Sequence, residues 1–326
     1  MAILAVREAL NQALDEEMTR DEAVLVMGEE VAEYNGAYKV TKGLLDKYGP
    51  HRVLDTPIAE LGFTGVGVGA AQTGLRPVVE WMTLNFSLLA LDQVVNNAAK
   101  LRHMSGGQLQ VPIVFRAPNG PAEYLSSQHS QSFASYYAHV PGLKVVAIST
   151  PRNAKGLLKS AIRDNNPVVF LEAEMMYGLK GEVPDEEYTQ PLDKAEIARE
   201  GSDVTLITFG KVRHMVMDAA KELEKIGVQA EVIDLISLRP IDEDTIYKSV
   251  RKTNRAVVID EAWPLASIGS HVSHLIHTNC FDDLDSQVEF VSSEDVPMPY
   301  NHSMELEVQP TVAKIVNAAK KVSYIE

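Results

Sequence analysis

In the run Asp55-Thr-Pro-Ile-Ala-Glu60-Leu-Gly-Phe-Thr-Gly65-Val-Gly-Val-Gly69-Ala-Ala71, a short strand gives way to a helix made largely of small residues. The strand (Arg52-Val-Leu-Asp55) ends at Thr56-Pro57, a good N-cap followed by a proline pre-set for the first helical position. Glu60 then falls within the first helical turns. Glycine, alanine and threonine after it let another backbone or a flat ligand come close, so one carboxylate is expected at the mouth of a close-packed helix. A glutamate at a helix N-terminus is also favoured by the macrodipole without any function, and spacing alone favours that plain reading. Gly65, Gly67 and Ala70 match G-x-G-x-x-A, but residues 55–64 separate the strand from the first glycine. The glycines therefore fall inside the helix rather than in its opening turn, and a dinucleotide site is discounted.

Outward from this run the same alternation holds. Towards the amino end, Ile3, Val6, Ala9, Leu10, Ala13 and Leu14 fit one helical face. Ala23-Val-Leu-Val-Met27 reads as a buried strand, and a helix is expected around residues 41–48. Towards the carboxyl end come a strand at 76–80, a long helix over 87–103, strands at 111–115 and 144–148, a helix over 153–163 and a strand at 167–171. From about 177 to 195 the texture changes to glycine, proline and the acidic run Asp185-Glu-Glu187, which predicts a linker without core. The pattern restarts with strands at 203–209, 229–235, 256–260 and 288–291, with helices between and one at the carboxyl end. Strands and helices taking turns predict two α/β doubly wound domains, each with a mostly parallel sheet.

Composition excludes some functions. The 326 residues suffice for two cores. A formal charge of −15 (30 basic against 45 acidic residues) argues against nucleic acid or an anionic membrane as main partner. Cys280 is the single cysteine, so no intramolecular disulfide and no cysteine-rich metal site can form. No apolar run approaches the roughly 20 residues that span a bilayer. The start enters helical periodicity directly with acidic residues following, unlike a signal or transit peptide. The expectation is a cytoplasmic protein of a bacterium, or a processed form in an organellar matrix.

Dense polar groups sit in loops. Glu29 and Glu30 follow a strand, where ligands of open α/β sheets bind, although a solvated loop suits at least one of them. Arg116-Ala-Pro-Asn-Gly120 follows another strand, and Ser126-Ser-Gln-His129-Ser-Gln131 comes soon after. A loop histidine among hydroxyls and amides can act as acid, base or substrate clamp, or can be satisfied locally at the surface. No G-x-S-x-G elbow supports a serine hydrolase. His271, His274 and His277 recur every third residue, but that drift spreads them around a helix, which favours an ordinary polar face over a metal site. Trp81, Met82, Phe86 and Leu88 default to core. Asp164-Asn-Asn166-Pro is a helix-end turn whose carbonyls can also cage a hard cation. There is no G-x-x-x-x-G-K-[ST] loop and no Gly-Asp-Gly with a following asparagine pair, so the usual means of holding a diphosphate are missing.

Taken together, Met27-Gly-Glu-Glu-Val31, Gly36-Ala-Tyr-Lys-Val40, Asp55–Glu60, Glu80-Trp-Met-Thr-Leu-Asn-Phe-Ser87, Asp92-Gln-Val-Val-Asn96, Gln128-His-Ser-Gln131, Pro141-Gly-Leu-Lys-Val-Val146, the run 154–167 and Asp295-Val-Pro-Met-Pro-Tyr300 resemble the E1 β subunits of 2-oxo acid dehydrogenase complexes, above all their pyruvate branch. The likeness runs nearly end to end. It implies a transketolase-like pyrimidine-binding domain at 1–185 and a transketolase C-terminal domain at 186–326. It further implies thiamin diphosphate shared with an α subunit that holds Mg²⁺ and the diphosphate, which accounts for the missing motif. The assembly implied is α2β2, oxidatively decarboxylating pyruvate and passing the acetyl group to the lipoyl of E2, the dihydrolipoyl acetyltransferase.

The resemblance reverses the plain reading of Glu60, which in such enzymes hydrogen-bonds the pyrimidine N1′. It places Ile58, Met82 and Phe86 at the cofactor and His129 in the channel where the lipoyl group arrives. It also implies a structural K⁺ site, made mainly of backbone carbonyls, at Ile113, Ala161, Ile162, Asp164 and Asn166. Two departures stand out. Pro121-Ala-Glu-Tyr-Leu125 replaces an expected smaller, glycine-rich stretch, and Leu84 occupies a position where an aromatic is common. The same fold and cofactor would also serve branched-chain 2-oxo acids or acetoin, and a non-catalytic scaffold docking E2 would keep the fold without needing Glu60, Phe86 and His129.

Overall fold

From the amino end, the computed structural model, which describes residues 1–325, begins with β1 (Ala2–Ala5), α1 (Val6–Arg20), β2 (Val24–Gly28), α2 (Leu44–Tyr48), β3 (Val53–Asp55), α3 (Glu60–Gln72) and β4 (Arg76–Glu80). It continues with α4 (Ala99–Met104), β5 (Val114–Pro118), α5 (Ala134–Ala138), β6 (Lys144–Ala147), α6 (Pro151–Arg163), β7 (Val168–Glu172) and β8 (Lys180–Val183). Residues 1–119 and 136–192 form one unit; residues 120–135 and 193–326 form a second.

The first unit is built on a parallel sheet in the order β6-β7-β5-β4-β2-β3. Its central strands are continuous apolar runs because both faces are covered by helices; every residue of β5 and β7 is buried. Gly67 of α3 has a packing reason, since a Cβ there would sit 2.8 Å from Val79 Cγ2 of β4. The outer face of the same helix is bare, with Leu61 and Val66 exposed.

Four expectations are corrected. Ile3 lies in β1 and is exposed; the helix starts only at Val6, because β1 pairs antiparallel with β8. That same pairing shows the stretch after 177 is not a structureless linker: Val183 is buried, and Tyr188 packs against Gly156 of α6. The helix expected over 87–103 is broken into a 3₁₀ segment (Leu84–Ala90), a π segment (Gln93–Ala98) and α4. In the π segment Asn97 Nδ2 reaches Gln93 Oε1 at 2.9 Å. Finally, β5 runs three residues later than expected, since Pro112 supplies no N–H for a ladder.

The second unit holds β9 (Glu196–Arg199), β10 (Val204–Thr208), α7 (Val212–Lys225), β11 (Ala230–Asp234), β12 (Ser237–Arg239), α8 (Glu243–Thr253), β13 (Ala256–Ile259), α9 (Ile268–Cys280), β14 (Glu289–Val291), α10 (His302–Val308) and α11 (Val312–Val322). Its sheet has the order β14-β13-β10-β11-β9, parallel except for β9. One core joins the sheet to α7 and α11 through Leu206, Val216, Leu223, Val257 and Ile315. Two α/β units with mostly parallel sheets match the expected fold class.

Candidate functional site

In the first unit the chain runs from β2 to β3 on one side, then crosses to β4 on the other side of β2. The crevice beyond the carboxyl ends of β2 and β4 is thus a switch point of the kind that binds ligands. Gly28 closes it at the base, because a Cβ there would run into the Glu80 carbonyl oxygen. The loop that follows is pinned by Asp55, whose carboxylate accepts the N–H groups of Ala32 (2.7 Å) and Glu33 (3.0 Å). Thr56 does not cap the helix; its N–H donates to Gly28 O at 2.9 Å. The N-cap is Ala59, so Glu60 is the first residue of α3, where the helix dipole favours a carboxylate.

Glu29 and Glu60 are each only 4% exposed, and their carboxyls hydrogen-bond each other. Burial, then the Glu60 charge, pushes the Glu29 carboxyl up to about 7, since two buried carboxylates in contact disfavour double ionisation. Glu29 Oε1 has no hydrogen-bond partner. The pair therefore carries a proton near neutrality and presents an unsatisfied polar atom, a donor set suited to the ring nitrogen of a flat heteroaromatic. Of the two adjacent acids read after β2, Glu29 is the buried one and Glu30 is exposed, with φ 58°. The carboxyl end of an apolar strand was the signal; its pairing with Glu60 was beyond reach of spacing.

This pairing has a measurable consequence. The folded pKa of Glu29 is raised, so ionising it opposes folding, and stability falls as pH rises through about 7. Glu29→Gln is expected to flatten the thermal midpoint between roughly pH 5 and 8; an unchanged pH profile in differential scanning calorimetry would contradict it.

Across the crevice, Trp81 is core: its Nε1 donates to Thr64 Oγ1 at 3.0 Å, and its ring stacks on Phe115 at 5.2 Å. Met82 and Phe86 are half-buried and Leu88 is exposed; Leu84 is fully buried. Ile58 is 82% exposed, just ahead of α3. The structure gathers Glu29, Glu60, Met82 and Phe86 at the carboxyl ends of β2, β3 and β4 in one unit.

Arg116, expected in a loop, lies inside β5 and is 1% exposed. Its Nε and Nη2 donate to the two Glu172 oxygens at 2.7 Å each, and Nη1 donates to Glu80. Tyr177 adds a 2.6 Å bond to Glu172 and stacks on Tyr38. Burial pushes the Glu80 carboxyl up, with Arg116 opposing the shift. This buried cluster lies under the site, since Trp81 N–H donates to Arg116 O at 3.1 Å.

His129 belongs to the second unit, half-buried in a 3₁₀ turn (Ser127–His129). The loop around it is closed by Gly120 N–H to Gln131 O (3.0 Å) and Ser130 Oγ to Ala122 O (3.2 Å).

The five positions read for a cation assemble around the carboxyl end of α6, but their oxygens already accept bonds. Arg76 Nη1 reaches Ile162 O (2.9 Å) and Asp164 O (3.1 Å). Val168 N–H reaches Ile113 O (2.9 Å), and Asp164 N–H reaches Ala161 O (3.3 Å). Arg102 Nη1 lies 2.6 Å from Asn166 Oδ1. A carbonyl keeps a second lone pair, so a monovalent cation is compatible with this set. Among the described residues no group of three or more His, Cys, Asp or Glu side chains could hold a metal ion. On α9, His277 Nδ1 bonds Ser273 O at 2.8 Å. Nor, among the described residues, is any helix long and apolar enough to cross a membrane.

Residues 3–180 match the family described as "Transketolase, pyrimidine binding domain", and residues 193–315 match "Transketolase, C-terminal domain". The chain is 54% identical over 325 residues to the mitochondrial pyruvate dehydrogenase E1 component subunit beta-1 of Oryza sativa subsp. japonica, covering 98% of this chain and 87% of that protein. It is 51% identical over 321 residues to the pyruvate dehydrogenase E1 component subunit beta of Rickettsia felis, covering 98% of each. Among solved structures, the one titled "Split gene transketolase, inactive beta4 tetramer" superposes with a TM-score of 0.81 at 21% identity over 99% of both chains, a likeness of fold.

Proposed function

The chain belongs to the family of pyruvate dehydrogenase E1 component β subunits, and from that premise we infer how its own residues serve thiamin-diphosphate-dependent decarboxylation of pyruvate. The observation that carries the reading is the buried Glu29–Glu60 pair beside half-buried Met82 and Phe86. Thiamin diphosphate, when bound, supplies the nucleophilic carbon and the electron sink for loss of carbon dioxide. Glu60 would hold a proton at the pyrimidine N1′ and so polarise the ring. Glu29, by sharing that proton, would keep it available near neutral pH. Ile58, Met82 and Phe86 would give the ring an apolar seat that excludes water. This chain lacks a diphosphate loop, so an E1 α subunit is proposed to bring the diphosphate and Mg²⁺ in an α2β2 assembly, with E2 as acceptor of the acetyl group. A K⁺ ion is proposed at Ile113, Ala161, Ile162, Asp164 and Asn166; the carbonyls turned towards the Arg76 guanidinium support an environment that favours cations.

The test is to titrate thiamin diphosphate and Mg²⁺ into this chain alone and then with its α partner, following carbon dioxide release from several 2-oxo acids in K⁺ and in choline buffers. Pyruvate turnover only in the assembled pair is expected, with a lower thermal midpoint in choline. Full turnover by the isolated chain would refute the division of labour, and preference for a branched-chain acid would refute the substrate.

His129 is proposed as the acid or base for transfer to the lipoyl group, supported by its place in a polar, half-buried turn. His129→Ala is expected to slow acetyl transfer to lipoamide about 100-fold, the usual scale of one acid–base group. Decarboxylation with an artificial electron acceptor should stay within a few-fold; equal losses in both assays would remove His129 from the transfer step.

A further inference from the structure

Residues 121–126 are held at several points by the later part of the second unit. Lys211 Nζ donates to Pro121 O and pairs with Glu261 at 3.1 Å. The Tyr124 ring stacks on His302 with centroids 4.7 Å apart. Tyr124 N–H points to Glu305 Oε2 at 3.4 Å, and Ser126 Oγ reaches Met298 O at 3.4 Å. Glu305 is 1% exposed, with His302 Nδ1 3.6 Å from its Oε2. Asn301 caps α10, accepting Met304 N–H at 3.3 Å, so His302 and Glu305 stand on a fixed element.

The backbone tells the same story. Tyr124 (φ 63°) and Ser126 (φ 65°) are both left-handed although neither is glycine. Such conformations persist only where the surroundings over-determine them. Immediately after them comes the turn Ser127–His129.

We propose that Tyr124, held on His302 and Glu305, is a positioning residue that fixes the approach of the loop to His129 and so sets acetyl transfer to the lipoyl group. The proposal rests on the role given to His129 above. A loop free to leave its left-handed conformation would present the histidine in many orientations, and a displacement of about 1 Å is enough to cost a large factor in rate. The tyrosine hydroxyl takes no part in the stacking, so a phenyl ring should serve.

The test uses the assembled α2β2 enzyme with Tyr124→Ala, Tyr124→Phe and His129→Ala. Tyr124→Ala is expected to lower kcat/KM for a lipoyl domain about tenfold and to speed amide hydrogen exchange over residues 123–129. Turnover with an artificial acceptor should stay within twofold, and Tyr124→Phe should restore both readouts. Tyr124 is half-exposed (53%), so loss of the whole fold is not the expected outcome. Unchanged exchange in Tyr124→Ala overturns the grip. Faster exchange with unchanged lipoyl transfer overturns the positioning role if His129→Ala still impairs transfer. If His129→Ala also leaves transfer intact, the reading of His129 fails and takes the proposal with it.

Discussion

Glu60→Gln in the assembled enzyme is expected to lower carbon dioxide release from pyruvate at least about 100-fold, a loss of roughly 2.7 kcal/mol of transition-state stabilisation. Glutamine keeps the volume and a hydrogen bond at the start of α3, so binding and fold should change little. What disappears is the exchangeable proton. An amide holds its hydrogens through every pH of interest, whereas a carboxyl can give one to a ring nitrogen and take it back. In the proposed role Glu29 would make that exchange workable near neutrality, its carboxyl being pushed up to about 7 by burial and by the Glu60 charge. Removing that charge should also let Glu29 ionise more easily, so the variant would combine lost turnover with a flatter stability profile. Turnover within threefold of the wild type, measured with saturating cofactor, would remove Glu60 from the chemistry.

Arg116→Met is expected to destabilise the chain by about 3–5 kcal/mol, the scale for removing one partner from a buried ion pair. Two carboxylates, Glu80 and Glu172, would then remain in a dry site with no cation. For a domain of this size that loss lowers the thermal midpoint by roughly 10 °C. The sign with pH follows from Glu80, whose carboxyl burial already raises against the pull of Arg116. Without the guanidinium its folded pKa rises further, so the deficit should be small in acid and grow as pH rises through that value. A deficit that is equal at pH 5 and pH 8 would show that Arg116 works through packing alone.

Much of this was legible from residue order because elements with one strong period announce themselves. The stretch 76–80 is a strand with the expected bounds, and Glu60 stands in the first turn of its helix. What was not legible depends on pairing across distance. The residues of β1 scan as helix, yet an extended partner at 180–183 pulls them into a ladder. Arg116 looked like a loop cation because Pro112 and Pro118 blur the strand, and only the neighbouring strands show that two carboxylates await it. A three-residue or seven-residue spacing carries no information about such meetings. The acid at 29 was visible as a candidate; the burial that chiefly raises its pKa, and the neighbour 31 positions away that adds to it, were not.

Residues 120–135 are gathered with the later part of the chain although they are synthesised in the middle of the earlier part. A gene cut after residue 192 would therefore yield a fragment whose inserted segment has lost Lys211, Met298 and Glu305, with nothing to hold Tyr124 and Ser126 in their left-handed turn. That segment becomes the natural first nick for a protease, an open strap between residues 119 and 136. Folding during synthesis meets the same problem: the strap has to wait, unclasped, until Met298 and Glu305 have left the ribosome.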